Sequence, residues 1–128
     1  MKVEEHLNKA ARIEQSMAKL DLDADYEAII ENCMIAGTHY YNSVMHTLGA
    51  TPSDKDFKHT YKPRPLLPLV PDELAPMRAA LHVVELLRPH HVRGGDPYSP
   101  QVGRACWSSY QEVKSFAMKV INRQPAGV

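Results

Sequence analysis

Apolar side chains recur at intervals of three and four residues in four separate stretches of this chain. That spacing places them on one face of an α-helix, and no stretch shows the strict alternation typical of a strand. The pattern predicts helices over about residues 2–20, 24–48, 71–88 and 100–122. On each helix these side chains form a narrow apolar seam with a period near 3.5 residues. We therefore expect an all-α, up-down-up-down four-helix bundle. At 128 residues, the chain fits one helical-bundle domain, residues 1–128.

The residues of these four apolar seams form the predicted core. It comprises His6, Ala10, Ile13, Met17 and Leu20, then Tyr26, Ile30, Cys33, Gly37, Tyr40 and Val44, then Leu74, Met77, Leu81, Val84 and Leu87, and finally Val102, Cys106, Ser109, Val113, Phe116 and Val120. Gly37 lies within a helix, where glycine is unfavourable, so we expect a neighbouring helix or a tyrosine ring to approach closely there. The two cysteines lack the paired spacing of a zinc or redox motif and are expected to be buried thiols.

A long connection joins the second and third helices. Residues 49–71 contain four prolines in their second half, at positions 63, 65, 68 and 71, which predicts an extended, stiff segment. A connection of this length is either functional or a strap packed on the bundle surface. We also expect the helix-three pattern to end at Arg88, because Pro89 follows it.

The charge balance limits the classes of partner. Fifteen lysines and arginines offset fifteen aspartates and glutamates, so binding of nucleic acid would need a local basic patch. No apolar run reaches the ~20 residues that span a bilayer, and the first residues lack the apolar core of a signal peptide. We therefore expect a cytoplasmic protein that does not bind membranes.

The first candidate site is the stretch that follows helix three. Its basic residues should lie near the acidic turn of residues 21–25, where two interpretations compete. Either the arginines pair with aspartates and tie two loops together, or a histidine joins an aspartate as a metal ligand. Nearby arginines repel a cation, so we expect no metal and no cofactor. The ligand-binding candidates are Arg88, His90, His91 and Arg93.

The second candidate surface is the face of helix two opposite its apolar seam. His39 and His46 are seven residues apart and share this face, which contains no carboxylate and so shows no metal-binding pair. The face is expected either to be solvated or to pack against a second copy of the helix. The dimer-face candidates are Ile35, His39, Ser43 and His46.

Two stretches resemble the HEPN superfamily of helical bundles. Helix two, "AGTHYYNSVMHTLG", resembles the family's helix rich in alanine, tyrosine and histidine, and "LRPHHVR" resembles the surroundings of the ribonuclease motif. That motif places a histidine after an arginine, with four to six residues between them. Arg88 matches the family's arginine, but Arg93 occupies the register of its histidine. Arginine stays protonated near neutral pH and cannot exchange the proton that metal-independent RNA cleavage requires.

The resemblance implies a non-catalytic HEPN-like module that binds RNA, a nucleotide or a protein partner, such as a nucleotidyltransferase-type protein. Homodimers are common in the family, which adds to the dimer expectation. Two alternatives stay open. One is a metal-independent ribonuclease that uses a displaced histidine, and the other is a small metal-dependent bundle enzyme.

Overall fold

The structure is a computed structural model that describes residues 1–57, 70–97 and 99–123. Within these ranges it contains four α-helices and no strand: α1 (Val3–Met17), α2 (Tyr26–Thr47), α3 (Ala75–Leu87) and α4 (Pro100–Arg123). The all-α prediction is therefore confirmed. The proline-rich part of the link at residues 58–69, as well as Tyr98, lies outside the described residues.

Helix α2 is the central element of the fold. It packs against α1, α3 and α4, and α3 also packs against α4. Because neighbours lie on several sides, α2 buries residues beyond its predicted seam, including Ile29, Ala36, Tyr41 and Met45. The outer helices α1 and α4 meet through long side chains: the Tyr110 hydroxyl donates to Glu14 Oε1, and Lys114 Nζ lies 2.8 Å from Glu14 Oε2.

At Gly37 the helices α2 and α3 pack closely together. A Cβ atom at this position would lie 2.8 Å from Leu81 Cδ1 and 3.9 Å from a ring carbon of Tyr110. The expectation of a close helix contact at Gly37 is confirmed. Both neighbouring side chains are fully buried, so a Cβ at this position would require the Leu81 side chain to shift within the core.

Helix α3 ends at Leu87, one residue before the predicted end at Arg88. The sequence did not predict the wider π-type turn that follows directly over Arg88–Arg93. Pro89 has no N–H to donate to the Glu85 carbonyl, and the N–H of Arg88 donates to it instead. The turn closes at Gly94, where a Cβ would lie 2.8 Å from the carbonyl oxygens of Pro89 and His90.

The α4 core stripe is rotated slightly from the predicted one. Cys106, Val113 and Val120 are buried as expected, whereas Ser109 and Phe116 are partly exposed, and Tyr110 and Ala117 take the inner positions. Both cysteines are free and completely buried, as expected. Among the helices of the described ranges, none is long and apolar enough to cross a membrane.

Candidate functional site

Three histidines and one aspartate meet where α1, α2 and the segment after α2 come together. His6 Nε2 lies 2.9 Å from Asp56 Oδ1, and His46 Nε2 lies 2.8 Å from the same oxygen. His39 joins through a contact of 2.9 Å between its Nδ1 and the Nδ1 of His6. We call these four residues the histidine cluster.

Helical spacing and a local clamp position the cluster. His6 lies in the first turns of α1, and His39 and His46 lie two turns apart on α2. Asn42, between those two histidines, forms a pair of hydrogen bonds with the backbone of Phe57, of 2.9 and 2.7 Å. This clamp holds the segment after α2 against the helix and brings Asp56 over the imidazoles.

The contacts define the protonation of the imidazoles when no ion lies between them. A carboxylate only accepts hydrogen bonds, so neutral His6 and His46 each donate their Nε2–H to Asp56. The Nδ1 of His46 then accepts from the Thr51 hydroxyl, 2.9 Å away. By the same logic His6 Nδ1 accepts, and His39 donates its Nδ1–H.

Burial and these bonds shift the pKa values in the cluster. Burial lowers the pKa of His6 below its usual value, although the bond to Asp56 opposes the shift. Burial and the neighbouring His6 likewise lower the pKa of His39. Burial alone would raise the pKa of Asp56, but hydrogen bonds from His46, His6 and the terminal amine lower it to about 2. These shifts favour neutral His6 and His39 beside an ionised Asp56 at neutral pH.

A cavity of about 220 Å³ opens beside the cluster. His6, His39 and Asp56 form part of its lining. Apolar side chains provide much of the remainder: Met34, Ile35 and Phe57. The cavity lining thus combines side chains that are able to bind a metal with apolar side chains.

The predicted dimer-face residues have different environments in the structure. Ile35 is exposed, with 37% of its surface accessible, and His39 is partly exposed. Ser43 is buried and donates to the Tyr40 carbonyl, 2.6 Å away. The His46 side chain is only 3% exposed, because the segment after α2 covers it. The rear face of α2 is therefore mostly covered by this chain itself.

The predicted ligand-binding residues all lie on the turn after α3. Arg88 Nε is 2.6 Å from Glu31 Oε2 on α2, so its partner is not the acidic turn. The acidic turn is instead stabilised by its own hydrogen bonds, because Asp21 Oδ1 accepts from the backbone N–H groups of residues 23 and 24. His90 pairs with Asp96 at 3.2 Å, His91 is partly buried, and Arg93 is exposed.

The histidine cluster was not visible as a unit in the sequence. The stripe of α2 that contains His39 and His46 has no carboxylate, and its partners come from positions 6 and 56. Nothing in local spacing links these positions, because their contacts depend on how α1 and the segment containing Asp56 pack onto α2. A polar His6 within an otherwise apolar seam was the one available signal.

Comparison of the chain with protein-family models, curated proteins and solved structures finds no match. The resemblance to the HEPN superfamily therefore stays a prediction that depends on the two stretches quoted above.

Proposed function

We propose that this protein binds a divalent transition-metal ion through His6, His46 and Asp56. One observation carries the proposal: one ligand atom from each of His6, His46 and Asp56 lies within 4.8 Å of the other two. These groups come from three separate segments of the chain. Two imidazoles and one carboxylate form a ligand set that suits zinc and related ions.

The spacing of the three atoms supports this assignment. A tetrahedral zinc ion with bonds of about 2.0–2.1 Å needs its ligand atoms about 3.3 Å apart. The two nitrogen–oxygen distances are 2.9 and 2.8 Å, so each must lengthen by only about half an ångström. Neutral imidazoles and an ionised carboxylate are also the protonation states that bind metals.

Outer contacts support the same proposal. A histidine that binds a metal through Nε2 carries its proton on Nδ1 and usually donates it to a fixed acceptor. The Nδ1 of His46 lies 3.2 Å from the Thr51 carbonyl oxygen, and the Nδ1 of His6 lies 2.9 Å from the Nδ1 of His39. The Thr51 carbonyl is thus an acceptor for His46, and His39 becomes the acceptor for His6 once its own proton lies on Nε2.

Isothermal titration calorimetry with Zn²⁺ tests the proposal on the full chain without an affinity tag. We expect one ion per chain, and loss of that binding in His6→Ala, His46→Ala and Asp56→Asn. His90→Ala is the matched control, because it removes an exposed histidine outside the cluster. Unchanged binding in all three cluster variants would rule out this site.

A second proposed role belongs to the turn after α3. We propose that Arg88, His90, His91 and Arg93 form a contact surface for RNA or a nucleotide, supported by the exposure of Arg93 and the partial exposure of His91. Because Arg88 is paired with Glu31 and Arg93 is exposed, we expect Arg93 to provide the contact with a phosphate. Arg93→Ala should weaken RNA binding in a filter assay without lowering thermal stability, and added salt should weaken it in the wild type. Equal binding by wild type and variant would contradict this role.

Further expectations from the sequence stay predictions. They are the alternating course of the helices, the relationship to the HEPN superfamily, the protein partner, the cytoplasmic location and the homodimer. A homodimer through α2 would have to centre on the exposed Ile35, since Ser43 is buried. Light scattering at micromolar concentration tests it, and a monomer mass of 14.4 kDa would contradict it.

A further inference from the structure

We infer that the cavity beside the histidine cluster binds a small carboxylate with an apolar tail, whose carboxylate completes the coordination of the metal. This inference depends on the proposed metal function. Three protein ligands leave a tetrahedral ion with one open position, as in zinc sites that bind an exogenous ligand. The cavity borders His6 and Asp56, so a fourth ligand reaches the ion through it.

Charge at the site favours an anion. A divalent ion held by two neutral imidazoles and one carboxylate retains one positive charge. A second carboxylate neutralises that charge, whereas a cationic ligand would be repelled. Zinc and related ions also accept carboxylate oxygen readily.

His39 supplies a hydrogen bond for the same end of the ligand. Once His6 binds the ion through Nε2, its Nδ1 carries a proton and donates to His39 Nδ1, 2.9 Å away. Neutral His39 then carries its own proton on Nε2. His39 lines the cavity, so its Nε2–H is available to the second oxygen of a bound carboxylate.

The apolar part of the lining selects the tail. Met34, Ile35 and Phe57 line the cavity with aliphatic and aromatic surface, and a volume of about 220 Å³ accommodates a short aliphatic chain. An apolar tail removes this surface from water, which stabilises binding in proportion to the area covered. A carboxylate without a tail gains only the contacts at the metal end.

The test uses the full chain loaded with Co²⁺, whose visible spectrum reports its ligands. Hexanoate, acetate and hexan-1-ol are the three probes. Acetate keeps the carboxylate without the tail, and hexan-1-ol keeps the tail without the carboxylate. We expect hexanoate to shift the spectrum and to bind about tenfold or more tightly than acetate. Hexan-1-ol should leave the spectrum unchanged.

Two variants test the contacts at the two ends of the ligand separately. Ile35→Ser removes part of the apolar lining and should weaken hexanoate at least about threefold, with little effect on acetate. His39→Phe removes the donor and should weaken both carboxylates by similar factors. Bound Co²⁺ with no spectral change on adding hexanoate, or with equal affinity for acetate and hexanoate, would overturn the inference while leaving the metal function intact. Failure to bind Co²⁺ at all would overturn both.

Discussion

Glu14 of α1 accepts a hydrogen bond from the hydroxyl of Tyr110 on α4, although 96 residues separate them in the chain. The Tyr40 hydroxyl donates to the same carboxylate oxygen at 3.4 Å, and Lys114 contacts the other oxygen. Burial and this carboxylate raise the pKa of Tyr40 to about 12 and raise the pKa of Tyr110 as well. The two hydroxyls therefore stay protonated as donors. Tyr110 links α4 to α1, and Tyr40 links the central helix α2 to α1.

Removing the Tyr110 hydroxyl should destabilise the fold. Tyr110→Phe leaves the ring in place but removes one of the two hydroxyl donors to Glu14 Oε1, so we expect a loss of about 1.5–3 kcal/mol in the free energy of unfolding. Lys114→Ala breaks a partly exposed ion pair of the same carboxylate and should cost less, about 0–1 kcal/mol. Urea denaturation measures both. A larger loss of unfolding free energy for Lys114→Ala than for Tyr110→Phe would contradict this description of the Glu14 contacts.

Gly37→Ala should destabilise the contact between α2 and α3. Alanine favours the helix by about 1 kcal/mol, but its Cβ would lie 2.8 Å from the buried Leu81 Cδ1. We expect a net loss of about 1–2 kcal/mol, because overpacking a full core costs more than the gain. In a double-mutant cycle with Leu81→Ala, the glycine substitution should become neutral or stabilising. Equal effects in both backgrounds would show that Leu81 is not the obstacle.

Acid should destabilise the metal-free protein in a range set by its buried histidines. The pKa values of His6 and His39 lie below the usual 6.5, so the unfolded chain binds protons more readily than the folded protein. The contribution of these two histidines to the free energy of unfolding is fully present above pH 6.5 and is lost as the pH falls below that value. Thermal unfolding in chelator should show a Tm that decreases across this range. In His39→Gln the decrease should be smaller, and an equal decrease would contradict a role for His39.

His39 should affect metal affinity without binding the ion. Its Nδ1 accepts the Nδ1–H of metal-bound His6, and losing such an outer partner typically lowers affinity about 10–100-fold. We therefore expect His39→Ala to retain one Zn²⁺ per chain with weaker binding, measured by competition with a chelating dye. Complete loss of binding would indicate that His39 is itself a ligand.

Local periodicity predicted the helices well but not the site. The seams around Ile30, Leu81 and Val113 place their side chains inside because each helix must bury its apolar face. The rear of α2 was harder to interpret, since its cover comes from α1 and from the segment containing Asp56. Contacts between residues so distant in sequence depend on loop paths, which helical spacing does not specify. Pro89 shows the same limit, because a wider turn accommodates it where a regular helix could not.

X-ray absorption at the zinc edge of the protein loaded with one equivalent of Zn²⁺ tests the central claim most directly. The histidine cluster predicts a four-coordinate ion with two imidazoles at about 2.0–2.1 Å and oxygen in the remaining positions. The imidazole signal should fall to a single ring in His46→Ala if any zinc is retained. A spectrum with sulfur ligands, or with oxygen alone, would contradict the assignment of His6, His46 and Asp56 as the metal site.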